Sequence, residues 1–162
     1  MDDIDYQNTV KTVIGDGAIS PFRGNFDGNE HTVSNFSSSN SYYAGFFGYL
    51  VGARVEKMGI HNAMIDGVGV MDTFTGGVAG AMDITSAIHK CFVSDGIVSS
   101  TADQTGGIVG VIYNNEYHAP THSHIYSCYT TCAVFGKEKV GGIVGNCLRE
   151  AWVDNLSFPP FH

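Results

Sequence analysis

The sequence predicts an all-β fold, a β-solenoid of about four to five irregular coils. Three observations lead there. A glycine-rich block recurs four times, with its second residue at positions 45, 77, 107 and 142, so the steps are 32, 30 and 35 residues. A bent apolar segment follows each block. The apolar composition is β-branched: Val and Ile together occur 28 times and Leu three times. Such side chains are stiff at χ1 and suit pleated strands, which excludes a helix bundle. No window sustains a helical period either.

The first element of each unit is the glycine block. Gly76-Gly77-Val78-Ala79-Gly80, Gly106-Gly107-Ile108-Val109-Gly110 and Gly141-Gly142-Ile143-Val144-Gly145 are near copies, and Ala44-Gly45-Phe46-Phe47-Gly48 repeats the pattern with aromatics. Glycines there suit tight corners and close backbone approach. The second element is Val55-Glu56-Lys57-Met58-Gly59-Ile60, repeated from Ile88, Ile125 and Val153, with Val33 to Ser38 as an earlier copy. Apolar residues at offsets zero, three and five do not fit one flat strand. They predict a bend at the polar offset two, then alternation. Two inward rows are expected: Val33, Val55, Ile88, Ile125 and Val153, and beside it Phe36, Met58, Cys91, Cys128 and Leu156. The third element is short: Ala63 to Gly67, Gly96 to Ser100 and Cys132 to Gly136. No unit can bury its apolar face alone, but units stacked about 4.8 Å apart can. Residues Asn114 to His122 are extra length in one unit and predict a protruding loop. The chain ends at Phe158-Pro159-Pro160-Phe161-His162, just after a bent strand and with no polar cap. A single module over residues 1–162, cut from a longer chain or associating end to end, is therefore expected.

Charge and cysteine usage narrow the function classes. Eight Lys and Arg against sixteen Asp and Glu give a formal charge of −8, which argues against nucleic acid and anionic membrane as partners. No apolar run is long enough for a membrane span. Cys91, Cys128, Cys132 and Cys147 include no CxxC pair and are expected as mostly buried free thiols. Cys91 and Cys128 should be stacked neighbours that stay reduced, because the strand spacing exceeds the Cβ separation of about 3.8 Å that a disulfide wants. The start, Met1-Asp2-Asp3-Ile4-Asp5, is acidic and has no signal-peptide pattern. That fits either a cytoplasmic protein or a mature domain of a secreted chain.

The segment Phe22-Arg23-Gly24-Asn25-Phe26-Asp27-Gly28-Asn29-Glu30-His31-Thr32-Val33-Ser34-Asn35-Phe36 resembles the opening segment of GLUG-motif proteins, F-x-G-x-F-D-G-N-G-H-x-I-x-N-L. Ala44-Gly45-Phe46-Phe47-Gly48-Tyr49-Leu50 is similar to their G-L-F-G-Y, and the later Gly-Gly-Ile-Val-Gly blocks to their recurring glycine motif. Asp3-Ile4-Asp5 and Ile14-Gly15 resemble upstream elements of the family. Departures are Glu30 where the family favours Gly, and Phe46 for Leu. The resemblance implies a right-handed parallel β-helix module of large bacterial surface or secreted proteins, found beside adhesins and surface proteases. It implies no catalytic residues and no cofactor, and it makes Met1 a truncation methionine.

Four groups of residues are candidates for chemistry. His118, His122 and His124, with Glu116 nearby, have spacings that can gather imidazoles around a metal. A Pro-containing surface loop rarely fixes three ligands, so a solvated loop without metal is expected. Asn25-Phe26-Asp27-Gly28-Asn29-Glu30 offers oxygen ligands but also meets the needs of a tight turn, with Gly28 free to take positive φ. Asp72, Asp103 and Glu138 should line one corner of successive coils, where neighbouring carboxylates could stand at a glycosidase separation. A solvated corner is the expectation, since Lys137 and Lys139 flank Glu138. Offsets one and four of the bent strand point outward: Ser34, Glu56, His89, Tyr126 and Asp154, and Ser37, Gly59, Phe92, Tyr129 and Ser157. Phe92, Tyr126 and Tyr129 then form an exposed aromatic patch, the expected place for a ligand.

The function expected is that of a non-enzymatic structural or adhesive module, extracellular or at the cell surface. Its partners would be a glycan or a surface protein and the neighbouring domains of its own chain. The competing reading is a carbohydrate-active β-helix enzyme using carboxylates on one face, because fold alone does not decide function.

Overall fold

Each repeat turns the chain at the polar position where the sequence predicts a bend. Lys57, Lys90 and Ser127, the offset-two residues of three successive repeats, have φ of 52°, 51° and 55°. One left-handed residue splits the bent segment into two short stretches whose apolar side chains both face inward. In this computed structural model, residues 3–40, 42–69, 72–101, 104–113, 122–148 and 152–154 are described. All regular structure among them is β.

A short strand, β1 (Ile4–Asp5), precedes four coils. Coil one holds β2 (Asn25–Ser34), β3 (Ser37–Asn40), β4 (Tyr43–Ala44) and β5 (Phe47–Val51). Coil two holds β6 (Arg54–His61), β7 (Met64–Gly67), β8 (Phe74–Gly76) and β9 (Ala79–Asp83). Coil three holds β10 (Ala87–His89), β11 (Phe92–Ser94), β12 (Ile97–Ser100), β13 (Gln104–Gly106) and β14 (Val109–Ile112). Coil four holds β15 (His124–Tyr126), β16 (Tyr129–Thr130), β17 (Ala133–Phe135), β18 (Val140–Gly141) and β19 (Val144–Cys147), and β20 (Trp152–Asp154) continues from it. Equivalent strands stack into four parallel sheets. Sheet I runs β1-β2-β6-β10-β15-β20, with β11 and β16 continuing it past the bend. Sheet II is β3-β7-β12-β17, sheet III is β4-β8-β13-β18 and sheet IV is β5-β9-β14-β19. The protein is a parallel β-solenoid of about four turns.

The core is built from in-register rows. Val55, Ile88, Ile125 and Val153 occupy matching positions on sheet I; the first three are fully buried and Val153 packs against the core. Met58, Cys91 and Cys128 form the adjacent buried row, and Ile65, Val98 and Val134 the row of sheet II. Each fully buried aliphatic side chain contributes about 1.5–3 kcal/mol.

Coil one departs from the expected alignment. Phe26, not Val33, faces Val55, while Val33 faces Ile60. Phe36 is buried, but it lies one residue before the Ser37–Met64 pair and so belongs at the next corner, beside Ala63. Consequently Asp27, not Ser34, faces Glu56, and Thr32, not Ser37, faces Gly59. The cause is a bulge between Asp27 and His31, which puts three residues in coil one where coil two has only Lys57. The tight turn expected at Asn25 to Glu30 is instead a bulge inside β2. Asp27 Oδ1 accepts the Asn29 N–H at 2.8 Å, but Asn29 and Glu30 carry the positive φ, at 50° and 67°. Gly28 is there for space: a Cβ would lie 2.5 Å from the Lys57 carbonyl oxygen and 2.7 Å from Met58 Cβ. Leu156 and Ser157 lie outside the described residues.

A polar ladder fixes the corner between sheets I and II. Asn35, Asn62 and Asp95 have φ of 55°, 51° and 49°, a region that Asx side chains tolerate best among non-glycine residues. Asn62 Nδ2 donates to Asn35 Oδ1 at 2.7 Å, and Asn35 Nδ2 donates to Asp5 Oδ1 at 2.8 Å. Upstream of β2 the chain adds a thin partial coil. Ile4 faces Val33, Val10 bridges Ser37, Ile14 bridges Phe47 and Phe22 bridges Leu50. Coil four is less covered, with Phe135, Val140 and Leu148 exposed. All four cysteines are free, and Cys91 and Cys128 stack on adjacent coils, the Cys91 N–H lying 3.5 Å from Cys128 Sγ. The expectation of burial fails for Cys147, which is exposed on coil four.

Candidate functional site

Two aromatic surfaces project from the solenoid on different sheets. The first is the expected one. On the outer face of sheet I, Gly59, Phe92 and Tyr129 are in register. The Phe92 and Tyr129 rings stack with centroids 5.1 Å apart and planes at 7°. Phe92 lies over Gly59, where a Cβ would collide with its ring. Both rings are half-buried, so one face of the stack rests on the sheet and the other meets solvent. Beside Phe92 is a recess of about 160 Å³ walled by Glu30, Lys57, Met58, Gly59 and Lys90. Lys57 is held by Asp27 at 3.2 Å.

Tyr126 joins through a second stack. It faces His89, which in turn faces Glu56, and the His89 and Tyr126 rings lie 3.9 Å apart at 18°. Glu56 is engaged by Arg54 at 2.7 Å, and that hydrogen bond holds its carboxyl below the usual carboxylate range. Burial, followed by the charge of Lys90, pushes His89 below the ordinary imidazole value. His89 is thus a neutral ring that stacks rather than a cation that repels Lys90. Phe92 and Tyr129 thus stack as one pair and His89 and Tyr126 as another, on the strands either side of the bend.

The second surface was not anticipated. It lies in the re-entrant corner between sheets III and IV, outside the main core. Here Tyr43 of β4 stacks on Tyr49 of β5, with centroids 5.1 Å apart and planes at 4°. Tyr43 also stacks on Phe74 at 5.5 Å, and Tyr113 meets both Phe74 and Tyr49 edge-on at 5.5 and 6.0 Å. These rings and Val51, Ala81 and Val111 form a cluster separate from the main core. Asp83 Oδ2 accepts the Tyr49 hydroxyl at 3.2 Å, and Gln104 Oε1 accepts the Asn146 amide at 3.0 Å. Burial, and then neighbouring Asp83 for Tyr49 and Tyr43 for Tyr113, pushes these phenols up, so they remain protonated donors. A cavity of about 410 Å³ opens over the rings, bounded by Tyr42, Tyr43, Asp72, Phe74, Gln104, Tyr113 and Leu148. A signal for it exists in the sequence: Tyr43, Phe74 and Gln104 each stand two residues before the first glycine of a block.

No family model, curated protein or solved structure matches this chain.

The remaining candidates separate. Asp72 and Glu138 are exposed, Asp72 at the mouth of the cavity; Asp103 lies outside the described residues. His124 opens β15 and is exposed, paired along the backbone with Ala87 and Trp152. His122 is half-buried, and His118 and Glu116 lie outside the described residues. Among the described residues no group of three or more His, Cys, Asp and Glu is placed to hold a metal.

Proposed function

We propose that this chain is a non-enzymatic, adhesive repeat module of a bacterial surface or secreted protein, and that it engages a glycan or protein partner through the outer face of sheet I. The observation that carries the reading is the Phe92–Tyr129 stack. Two parallel, stacked rings on neighbouring coils present an apolar surface beside Lys57 and Lys90. Rings give large contact area at low cost in conformational entropy. Their position on a rigid sheet fixes them before a partner arrives, which lowers the ordering cost of binding. The likeness of residues 22–50 to GLUG-motif proteins supports the surface or secreted setting.

The test is a glycan array probed with the wild-type protein and the Phe92→Ala/Tyr129→Ala double variant, followed by affinity measurements on any glycan captured. At about 1 kcal/mol per ring contact, the double variant should bind about tenfold or more weakly, with the thermal midpoint nearly unchanged. Wild-type affinity in the variant would defeat the proposal. A large fall in the midpoint would assign the rings to the core instead.

A further inference from the structure

We infer that the re-entrant corner between sheets III and IV is a groove for a neutral oligosaccharide lying along the solenoid axis. The glycine block makes the groove. At Gly80 a Cβ would lie 2.6 Å from the Phe74 carbonyl oxygen, and at Gly110 a Cβ would lie 2.5 Å from the Thr75 nitrogen. Only glycine lets the backbones of sheets III and IV approach so closely. The corner folds inward as a result, and the outward side chains of the two sheets converge instead of diverging.

The two walls are rows in register. Tyr43, Phe74 and Gln104 line sheet III, and Tyr49, Ala81, Val111 and Asn146 line sheet IV. Ala81 and Val111 are fully buried behind the rings, so the cavity of about 410 Å³ is walled by the sheet III row together with Tyr113 and Leu148. It falls in the range of about 300–1,000 Å³ typical of ligand sites. Its parts are spread over all four coils, with Tyr42 and Tyr43 on the first, Phe74 on the second, Gln104 and Tyr113 on the third and Leu148 on the fourth. With coils about 4.8 Å apart, an extended chain meets this surface over more of its length than a single sugar does.

The lining chemistry selects the occupant. Aromatic faces are electron-rich and attract the C–H face of a pyranose ring. Polar groups of both kinds surround them: the mutually hydrogen-bonded Tyr43 and Tyr113 hydroxyls, the Gln104 amide, whose oxygen accepts from Asn146, and the Asp72 carboxylate. Such a mixture matches vicinal hydroxyls, each of which donates and accepts. Among the described residues bounding the cavity there is no cation, and Asp72 at its mouth repels anions. Phosphate, uronate and sialate ligands therefore fit poorly here, whereas the sheet I recess carries two lysines. The two surfaces are chemically distinct, and this proposal does not depend on the first.

The test is calorimetric titration of the whole chain with cellohexaose, laminarihexaose, xylohexaose, mannohexaose and chitohexaose, with hexagalacturonate and a decaproline peptide as comparators. At least one neutral hexasaccharide should bind, and hexagalacturonate should bind at least tenfold more weakly. Tyr42→Ala and Gln104→Ala should each weaken the neutral ligand about tenfold. Tyr42 is exposed on the rim, so its removal reports on the groove even if Gln104→Ala disturbs folding. Met64 is exposed on sheet II, away from both surfaces, and Met64→Ala should leave this affinity unchanged. The proposal is overturned if no neutral hexasaccharide binds, if affinity survives Tyr42→Ala, or if hexagalacturonate or decaproline binds best. Loss of binding only in the Phe92→Ala/Tyr129→Ala variant would overturn it while supporting the sheet I reading.

Discussion

At the residue scale, the polar positions decide where the chain turns and the thiols show how tightly the coils stack. Cys91 and Cys128 sit in one buried row, and each sulfur faces a carbonyl of its own strand, His89 O at 3.3 Å and Tyr126 O at 3.4 Å. The neighbouring Cys128 sulfur and burial push the Cys91 thiol up, so it is a poor nucleophile. Alkylation under denaturing conditions followed by intact mass should count four free thiols; two or none would show that a bridge forms. His89 provides a second residue-scale test. Its pKa is lower in the folded protein than the ordinary 6.5, so the unfolded chain takes the proton first as pH falls. The stability tied to neutral His89 is complete above that value and is lost as pH drops through the folded pKa. An NMR titration of the imidazole should give a midpoint below 6.5; a midpoint above it would mean that Glu56, 3.7 Å away, outweighs burial and Lys90. The bend at Lys57, Lys90 and Ser127 was legible in the sequence because an apolar step of three then two allows little else. The role of Gly28 was not, since close approach to Lys57 and Met58 depends on a neighbouring coil and leaves no local trace.

At the element scale, each sheet I strand separates an inward row from an outward one. Ile88 lies fully buried between Val55 and Ile125. Ile88→Ala should cost about 2–5 kcal/mol, read as a shift in the denaturant midpoint, whereas Phe92→Ala, one bend further on, should cost far less. Equal losses would mean that the two faces are not distinct. The register of coils two to four was readable from sequence because their bent segments have the same length. Coil one was misread at Val33 because the bulge at Asp27 to His31 adds residues in the middle of the element. The groove of Tyr43, Phe74 and Gln104 was missed for a different reason. Tyr43, Phe74 and Gln104 share one place, two residues before the first glycine of a block, but two aromatics and an amide do not read as one row until the coils are stacked.

At the scale of the whole molecule, a solenoid has nearest-neighbour energetics: each coil is held only by the coil above and the coil below. Coils two and three have described partners on both sides in all four sheets. Upstream, residues 4–22 cover coil one with only a short strand and three isolated bridges, and coil four leaves Phe135, Val140 and Leu148 exposed. Both candidate surfaces depend on the stack, because their rings come from different coils and meet only when the coils are in register. Residue-resolved amide hydrogen exchange of the whole chain tests that stack most directly. Protection should peak at Gly107 to Val111 and in the flanking strands of coils two and three. It should fall toward residues 4–22 and through coil four, with exchange fastest around Val153. Uniform protection from end to end, or slower exchange at Val153 than at Val109, would contradict a stack held together by neighbouring coils alone.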